Sequence, residues 1–447
     1  MIIRIAVTIL LTAVLGNGNA SSAAANESRP PNFILIFVDD QGYQDLGCYG
    51  AEKIKTPRVD RMAAEGIRFT DFYVAAPLCS PSRAALLTGC YPTRIGMGNW
   101  VLRPDSNKGI HPHEITLAEL LKTRGYTCGC IGKWHVGFRE PFRPLNQGFD
   151  YYYGLLHNLD LEVEYLADEG GVPLLRGNEV VQRPAKPEEL TERYTTEALQ
   201  FITKNQNRPF FLYLPHTMAH HPMAVSERFA GKSDAGLYGD VIQCLDWSTG
   251  QILDRLDELD LVDNTYVVYT SDNGPTSHYV KSPLLRGRKL QTFEGGMRVP
   301  CVVWAPGRIP PGQVCSELVT AMDFYPTFAE LAGAQVPCDR VIDGHDISPL
   351  LFGQENAKSP YDAFFYHGNF GELAAVRSGK WKLHLNPALE LYDLETDPGE
   401  QKLANRGNYE IISDLRTKVI AFQENMRRHS RPAGEHGTVQ TPEGVKP

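Results

Sequence analysis

After its first 25 residues, the 447-residue chain has no stretch apolar for long enough to cross a bilayer, so no membrane span is expected in the mature fold. It also has no surplus of positive charge. Lys and Arg number 44 against 53 Asp and Glu, a net charge of −9, which argues against nucleic acid or an anionic membrane as partner. An anionic small substrate stays open, because a local cluster of cations can sit inside an acidic surface. Cys128 and Cys130 lack the CxxC spacing of redox and zinc motifs. Internal repeats and low-complexity tracts are missing too.

What remains is an ordinary globular composition, 42% apolar and 22% charged, long enough for one large domain and a smaller one. The N-terminus reads MIIR, then the short apolar IAVTILLTAVLG, then the small and polar GNGNASSAAANES. That is the pattern of a secretory signal peptide over residues 1–25. The mature protein is therefore expected to be exported: periplasmic or secreted, or lysosomal in a eukaryote. Export permits disulfides, but the nine cysteines are odd in number. The reading is mostly buried thiols, with room for one or two bridges.

Five apolar runs end in polar residues. NFILIFV (32–38) runs into Asp39-Asp40, and residues 127–131 run into Gly132-Lys133-Trp134-His135. PFFLYL (209–214) runs into Pro215-His216, TYVVYT (265–270) into Ser271-Asp272-Asn273, and VPCVVW (299–304) into Ala305-Pro306. Such runs suit strands buried on both faces of a parallel or mixed sheet. Helical patterns lie between them at 57–65, 115–123, 190–204, 238–259 and 321–331. The alternation predicts an α/β fold, with a large mixed sheet sandwiched by helices over residues 26–355. Residues 356–447 change texture: AFFYH, AAVRS and WKLHL predict a smaller antiparallel sheet, a helix follows near 409–427, and a mobile tail is expected from about 429.

In such sheets, ligands sit outside the carboxyl ends of the strands. An isolated Asp-Asp is ordinarily a turn. Here Asp39 and Asp40 end one strand, and Asp272 and Asn273 end another. Four oxygen donors meeting at one edge suit a hard cation, Ca²⁺ or Mg²⁺. Arg83, Lys133, His135, His216, His220, His221 and Lys289 add positive charge and proton carriers, as a tetrahedral oxyanion would need. The stretch CSPSR (79–83) reads as a helix start, with Ser80 able to cap and Pro81 in the first turn. Cys79 would face an anion site as a thiolate of depressed pKa. A soft thiolate beside a hard, oxygen-ligated cation is a poor match.

CSPSRAALLTG resembles the signature of the sulfatases, in the alkaline-phosphatase-like superfamily. FILIFVDDQGYQDLGCYG, GKWHVG, PHTMAHHP, TSDNG, KLQTFEGGMRVP and LYDLETDPGEQ follow that family's order over almost the whole mature chain, most closely its arylsulfatase A-like branch. The resemblance implies hydrolysis of aryl or carbohydrate sulfate monoesters. It implies that a formylglycine-generating enzyme oxidises Cys79 to Cα-formylglycine, whose hydrate attacks sulfur with one hydroxyl and expels sulfate with the other. Asp39, Asp40, Asp272 and Asn273 resemble the family's calcium ligands, with residue 79 completing the set. Arg83 and Lys133 would hold residue 79, and His135 would contact its hydroxyl. Lys289 and His220 would bind sulfate, as would Lys133; His216 is the rival of His220, and Asn158 lies where relatives carry a small polar residue near the sulfate. Two other functions remain open: a formylglycine-dependent phosphodiester or phosphonate hydrolase, and an unmodified binder of sulfated glycans.

Overall fold

The computed structural model describes residues 29–161, 166–279 and 284–437. The expected signal peptide lies outside the described residues.

Ten strands form one mixed sheet: β1 (Asn32–Val38), β2 (Ile67–Phe69), β3 (Thr127–Lys133), β4 (Tyr151–Leu155), β5 (Leu174–Arg176), β6 (Glu179–Gln182), β7 (Phe210–Pro215), β8 (Thr265–Ser271), β9 (Cys301–Trp304) and β10 (Gln313–Cys315). Their order is β10-β2-β9-β8-β1-β7-β3-β4-β5-β6. The central strands β8, β1, β7, β3 and β4 run parallel. All seven residues of β1 and of β8 are buried, as their uninterrupted apolar runs require. Alternation along β1 divides the core: Phe33, Leu35 and Phe37 enter one hydrophobic cluster, while Ile34, Ile36 and Val38 enter the other.

Helices cover both faces. On the second cluster lie α1 (Pro57–Glu65), α4 (Pro187–Asn205) and α5 (Gly236–Glu258). On the first lie α2 (Cys79–Thr88), α3 (Leu117–Lys122) and α6 (Phe324–Ala332). All ten residues of α2 are buried, so it is a core helix rather than an amphipathic one. It stops at Gly89, whose φ of +67° places it in the left-handed region, and a Cβ there would come within 2.9 Å of Tyr325.

A second sheet of four antiparallel strands follows: β11 (Phe364–His367), β12 (Leu373–Ser378), β13 (Trp381–His384) and β14 (Glu390–Asp393). Helix α7 (Tyr409–His429) packs on it, with Phe422 stacked on Phe365 at 3.8 Å between ring centroids.

Two expectations are corrected. Ser80 does not cap α2: Leu78 is the N-cap residue, and the Ser80 hydroxyl accepts the Leu102 N–H at 3.0 Å. The segment after His429 is docked rather than mobile as far as residue 437. Arg431 holds buried Glu114 through Nε at 2.6 Å and Nη2 at 3.0 Å, and Gly434–Glu435 pairs with Lys108–Gly109. The cysteines follow the expectation of mostly buried thiols: all nine are free, and Cys79, Cys90, Cys128, Cys130, Cys244 and Cys301 are buried.

Candidate active site

The register of the parallel strands assembles the site. Val38 pairs with Ser271 and Phe37 with Pro215, so Asp39-Asp40 and Asp272-Asn273 leave the sheet side by side, next to the end of β7. Lys133 is the last residue of β3, at the same edge. Asp40 turns with φ of +60°, and its N–H donates to Asp272 Oδ1 at 3.1 Å.

Asp39, Asp40, Lys133, Asp272 and Asn273 are all buried, and Lys289 is partly so. Asp39, Asp40 and Asp272 face Arg83, Lys133 and Lys289. Arg83 donates to Asp272 Oδ2 from Nε (3.1 Å) and Nη2 (2.8 Å), and Nη2 lies 3.2 Å from Asp39 Oδ2. Its Nη1 donates to the Lys133 carbonyl at 3.0 Å. Lys133 Nζ pairs with Asp39, and Lys289 Nζ sits 2.7 Å from Asp40 Oδ1. Burial works against ionised carboxylates here, but Lys133 and Arg83 hold Asp39 below the usual carboxylate range. Burial likewise opposes the charge of Lys289, and Asp40 overrides it, keeping the ammonium protonated.

Asp39, Asp40, Cys79 and Asp272 each offer a ligand atom within 4.8 Å of one another. Asn273 Nδ2 donates to Asp40 Oδ1 (2.7 Å) and to the Gly274 carbonyl (2.8 Å), which leaves Asn273 Oδ1 buried without a partner. Three buried carboxylates and an orphaned amide oxygen fit a hard divalent cation.

Cys79 opens α2 in the middle of this set. Its Sγ lies 3.6 Å from Asp39 Oδ1 and accepts from Lys289 Nζ at 3.2 Å. The expectation of a depressed thiol pKa is overturned. Burial raises it, the neighbouring Asp39 raises it further, and Lys133 and Lys289 offset only part. As a thiol, residue 79 is an inert group at the centre of a polar site.

The histidines separate by geometry. His135, at φ +60°, bonds the Leu102 carbonyl through Nε2 at 3.0 Å; a carbonyl only accepts, so Nε2 carries the hydrogen. Its Nδ1 is buried with no partner, and burial, Lys133 and Arg83 keep the ring neutral. His220 bonds the His221 carbonyl through Nδ1 at 2.7 Å. That leaves Nε2 3.7 Å from Asp40 Oδ2 and 3.5 Å from Asn158 Nδ2. His216 follows β7 but turns elsewhere: Nε2 meets Ser248 Oγ at 3.5 Å, beside the Tyr194 ring, and burial alone pushes its pKa down to about 3.

The arrangement gathers three cations, three carboxylates that could hold a metal and two histidines of opposite tautomer at the edge of an alkaline-phosphatase-like sheet. A family model described as sulfatase matches residues 31–334, and one described as N-sulphoglucosamine sulphohydrolase, C-terminal, matches residues 288–425. The chain is 39% identical to arylsulfatase A of Homo sapiens, over 89% of this chain and 86% of that protein. It is 41% identical to N-acetylgalactosamine-6-sulfatase of Canis lupus familiaris, over 82% and 73%. Among solved structures it is similar to Ps i-CgsB in complex with k-i-k-neocarrahexaose, with a TM-score of 0.80 and 30% identity over 92% of this chain and 96% of that one. The chain belongs to the sulfatase family and is a sulfuric ester hydrolase.

Sequence reasoning did not anticipate the support beneath Lys289. The loop that carries it ends at Glu294, whose Oε1 accepts from Lys382 Nζ at 2.9 Å and whose N–H donates to Glu400 Oε2 at 2.7 Å. Lys382 also lies 3.0 Å from Glu400 Oε1, His384 bonds Glu400 at 2.6 Å, and all three charged residues are fully buried. The small sheet thus clamps the Lys289 loop. Lys382→Met leaves Glu294 and Glu400 buried beside one cation fewer. It should cost roughly 3–5 kcal/mol, visible as a lower urea midpoint at unchanged slope.

Proposed function

We propose that residue 79 acts as Cα-formylglycine, installed by a formylglycine-generating enzyme, and that Asp39, Asp40, Asp272 and Asn273 together with residue 79 hold Ca²⁺ in preference to Mg²⁺. The substrate is a sulfated carbohydrate, with aryl sulfates as assay substrates. The protein is exported, residues 26–355 form the catalytic unit, and residues 356–447 close it. The inert, buried thiol among hard oxygen ligands carries this reading: replacing sulfur by oxygen at residue 79 removes the only mismatch in the site. The sugar assignment draws on the names of the similar proteins, an N-acetylgalactosamine-6-sulfatase and a structure with a bound neocarrahexaose.

When present, the hydrated aldehyde supplies a nucleophilic hydroxyl and a second hydroxyl through which sulfate is expelled, and calcium supplies positive charge. The chain's own residues do the rest. Arg83 and Lys133, pinned on Asp272 and Asp39, fix the position of residue 79. His135, whose buried Nδ1 lone pair is unpartnered, takes a proton from a hydroxyl at residue 79. Lys289 neutralises charge on the sulfuryl oxygens, and His220 acts from its imidazolium form, with Nε2 protonated beside Asp40, giving that Nε2 proton to the leaving alcohol and returning to the neutral Nδ1–H tautomer.

Mass analysis of the tryptic peptide holding Cys79, from protein made in its native host, tests the first claim; an unaltered thiol in active protein overturns it. Rates on aryl sulfate and aryl phosphate esters should favour sulfate, and a preference for phosphorus would replace the substrate class. For the histidines, His220→Ala should lower kcat/KM by about 10²–10⁴-fold, and His216→Gln by less than about tenfold. Equal losses from the two would reverse the assignment.

A further inference from the structure

Beside the sulfate pocket lies an aromatic surface that the chemistry above leaves without a task. Trp100 and Phe370 stack with ring centroids 5.3 Å apart and planes 13° from parallel, yet Phe370 is 68% exposed and Trp100 only half-buried. Leu290, 43% exposed, adjoins them. A stacked pair turned to solvent forgoes burial, which marks a surface kept for a ligand.

Hydrogen bonds tie this patch to the site. Trp100 N–H donates to the Asn369 carbonyl at 2.7 Å, and Asn369 Nδ2 donates to the Leu290 carbonyl at 3.0 Å. Leu290 follows Lys289 directly, and its N–H donates to the Pro77 carbonyl at 3.0 Å, two residues before Cys79. On the other flank, Leu102 lies two residues after Trp100. Its carbonyl holds His135 and its N–H is held by Ser80. Trp100 (φ +50°) and Leu290 (φ +74°) are both in the left-handed region, as are Asp40 and His135. A tryptophan held there is strained backbone that the surroundings must impose. The Phe370 turn is rigid as well: Gly368 N–H bonds the Glu372 carbonyl at 2.8 Å, and Phe370 N–H bonds Glu372 Oε2 at 2.9 Å.

We propose that Trp100 and Phe370, edged by Leu290, form a saccharide platform at the mouth of the sulfate pocket, on which a sugar ring of the substrate lies with its C–H face. The inference rests on the carbohydrate reading above. A flat aromatic face suits the apolar face of a pyranose, while Asn369 and Glu372, in the same turn as Phe370, supply polar partners for its hydroxyls. A lipid tail would need a broader, uniformly apolar trough.

The test uses Trp100→Ala, Phe370→Ala and the conservative Phe370→Tyr. Substrates are N-acetylgalactosamine 6-sulfate, a sulfated carrageenan hexasaccharide and 4-nitrophenyl sulfate. Each alanine should raise KM for a saccharide by about 5- to 10-fold at similar kcat. The kcat/KM ratio of saccharide to aryl sulfate should fall about fivefold, and Phe370→Tyr should restore it. In full-length Cys79→Ala protein, calorimetry should show a matching rise in saccharide Kd on adding either alanine, independent of turnover. Unchanged saccharide KM and Kd in both alanine variants overturn the platform alone. A parallel rise on 4-nitrophenyl sulfate overturns the choice of a sugar. Wild-type protein that hydrolyses the aryl ester but neither binds nor cleaves any saccharide overturns the carbohydrate reading, and the platform with it.

Discussion

Cys79→Ser protein is expected to react once and stop. Serine is close in size to the cysteine it replaces, so Asp39, Lys133, Arg83 and Lys289 keep their places around residue 79. Its single hydroxyl can accept a sulfuryl group, with the alcohol leaving, but it has no second hydroxyl from which to expel sulfate. Steady turnover should fall by at least about 10⁴-fold, while one sulfuryl group per protein stays attached to the peptide containing residue 79. Cys79→Ala should lose turnover equally and carry no adduct. Thiol protein from a host lacking the modifying enzyme should match the alanine variant, because burial and Asp39 keep that thiol protonated. Many turnovers by Cys79→Ser with no adduct by mass spectrometry would remove the aldehyde-hydrate scheme.

The parts of the molecule legible in its sequence are those where local pattern and tertiary burial agree. The run 32–38 forms β1 with the same bounds because both faces of the central strand are buried and nothing polar interrupts it. Helix α1 begins at Pro57 and ends at Glu65 as read, since proline suits a first turn and Gly66 follows. Strand ends told which carboxylates meet, because parallel neighbours in register deliver their last residues to one edge. The choice between His216 and His220 was not legible. Both follow the same strand, and only the path of the chain after β7 sends one toward Ser248 and the other toward Asp40.

Misreadings arose where long-range partners override local chemistry. Ser80 looks like a cap but is taken by Leu102, and the tail after His429 looks solvated but carries Arg431 into Glu114. Lys382 sits in a short strand where a lysine ordinarily reads as solvent-facing; its burial depends on Glu294 and Glu400, distant in sequence on either side. Trp100 and Phe370 have no shared pattern at all, and only the docking of the small sheet brings them together.

Asp272 is where removal of one side chain should do the most damage per atom. It accepts two N–H bonds from Arg83 and the backbone N–H of Asp40, and it is one of the oxygen ligands proposed for calcium. Asp272→Ala leaves buried Arg83 with Asp39 and the Lys133 carbonyl only, so a loss of roughly 3–5 kcal/mol in stability accompanies the loss of activity. The informative variant is Asp272→Asn, whose one carbonyl oxygen can still accept both N–H groups of Arg83, while its amide nitrogen gives up the bond from the Asp40 N–H. It removes one negative charge from a set in which three carboxylates balance three cations before any metal adds its own. Bound calcium, measured by atomic emission after dialysis, should fall at least about tenfold, and kcat/KM by on the order of 10³-fold, with the melting temperature lowered far less than in the alanine variant. If Asp272→Asn keeps both its calcium and its rate, Asp272 serves only to hold Arg83, and the ligand set must be drawn from Asp39, Asp40 and Asn273 without it.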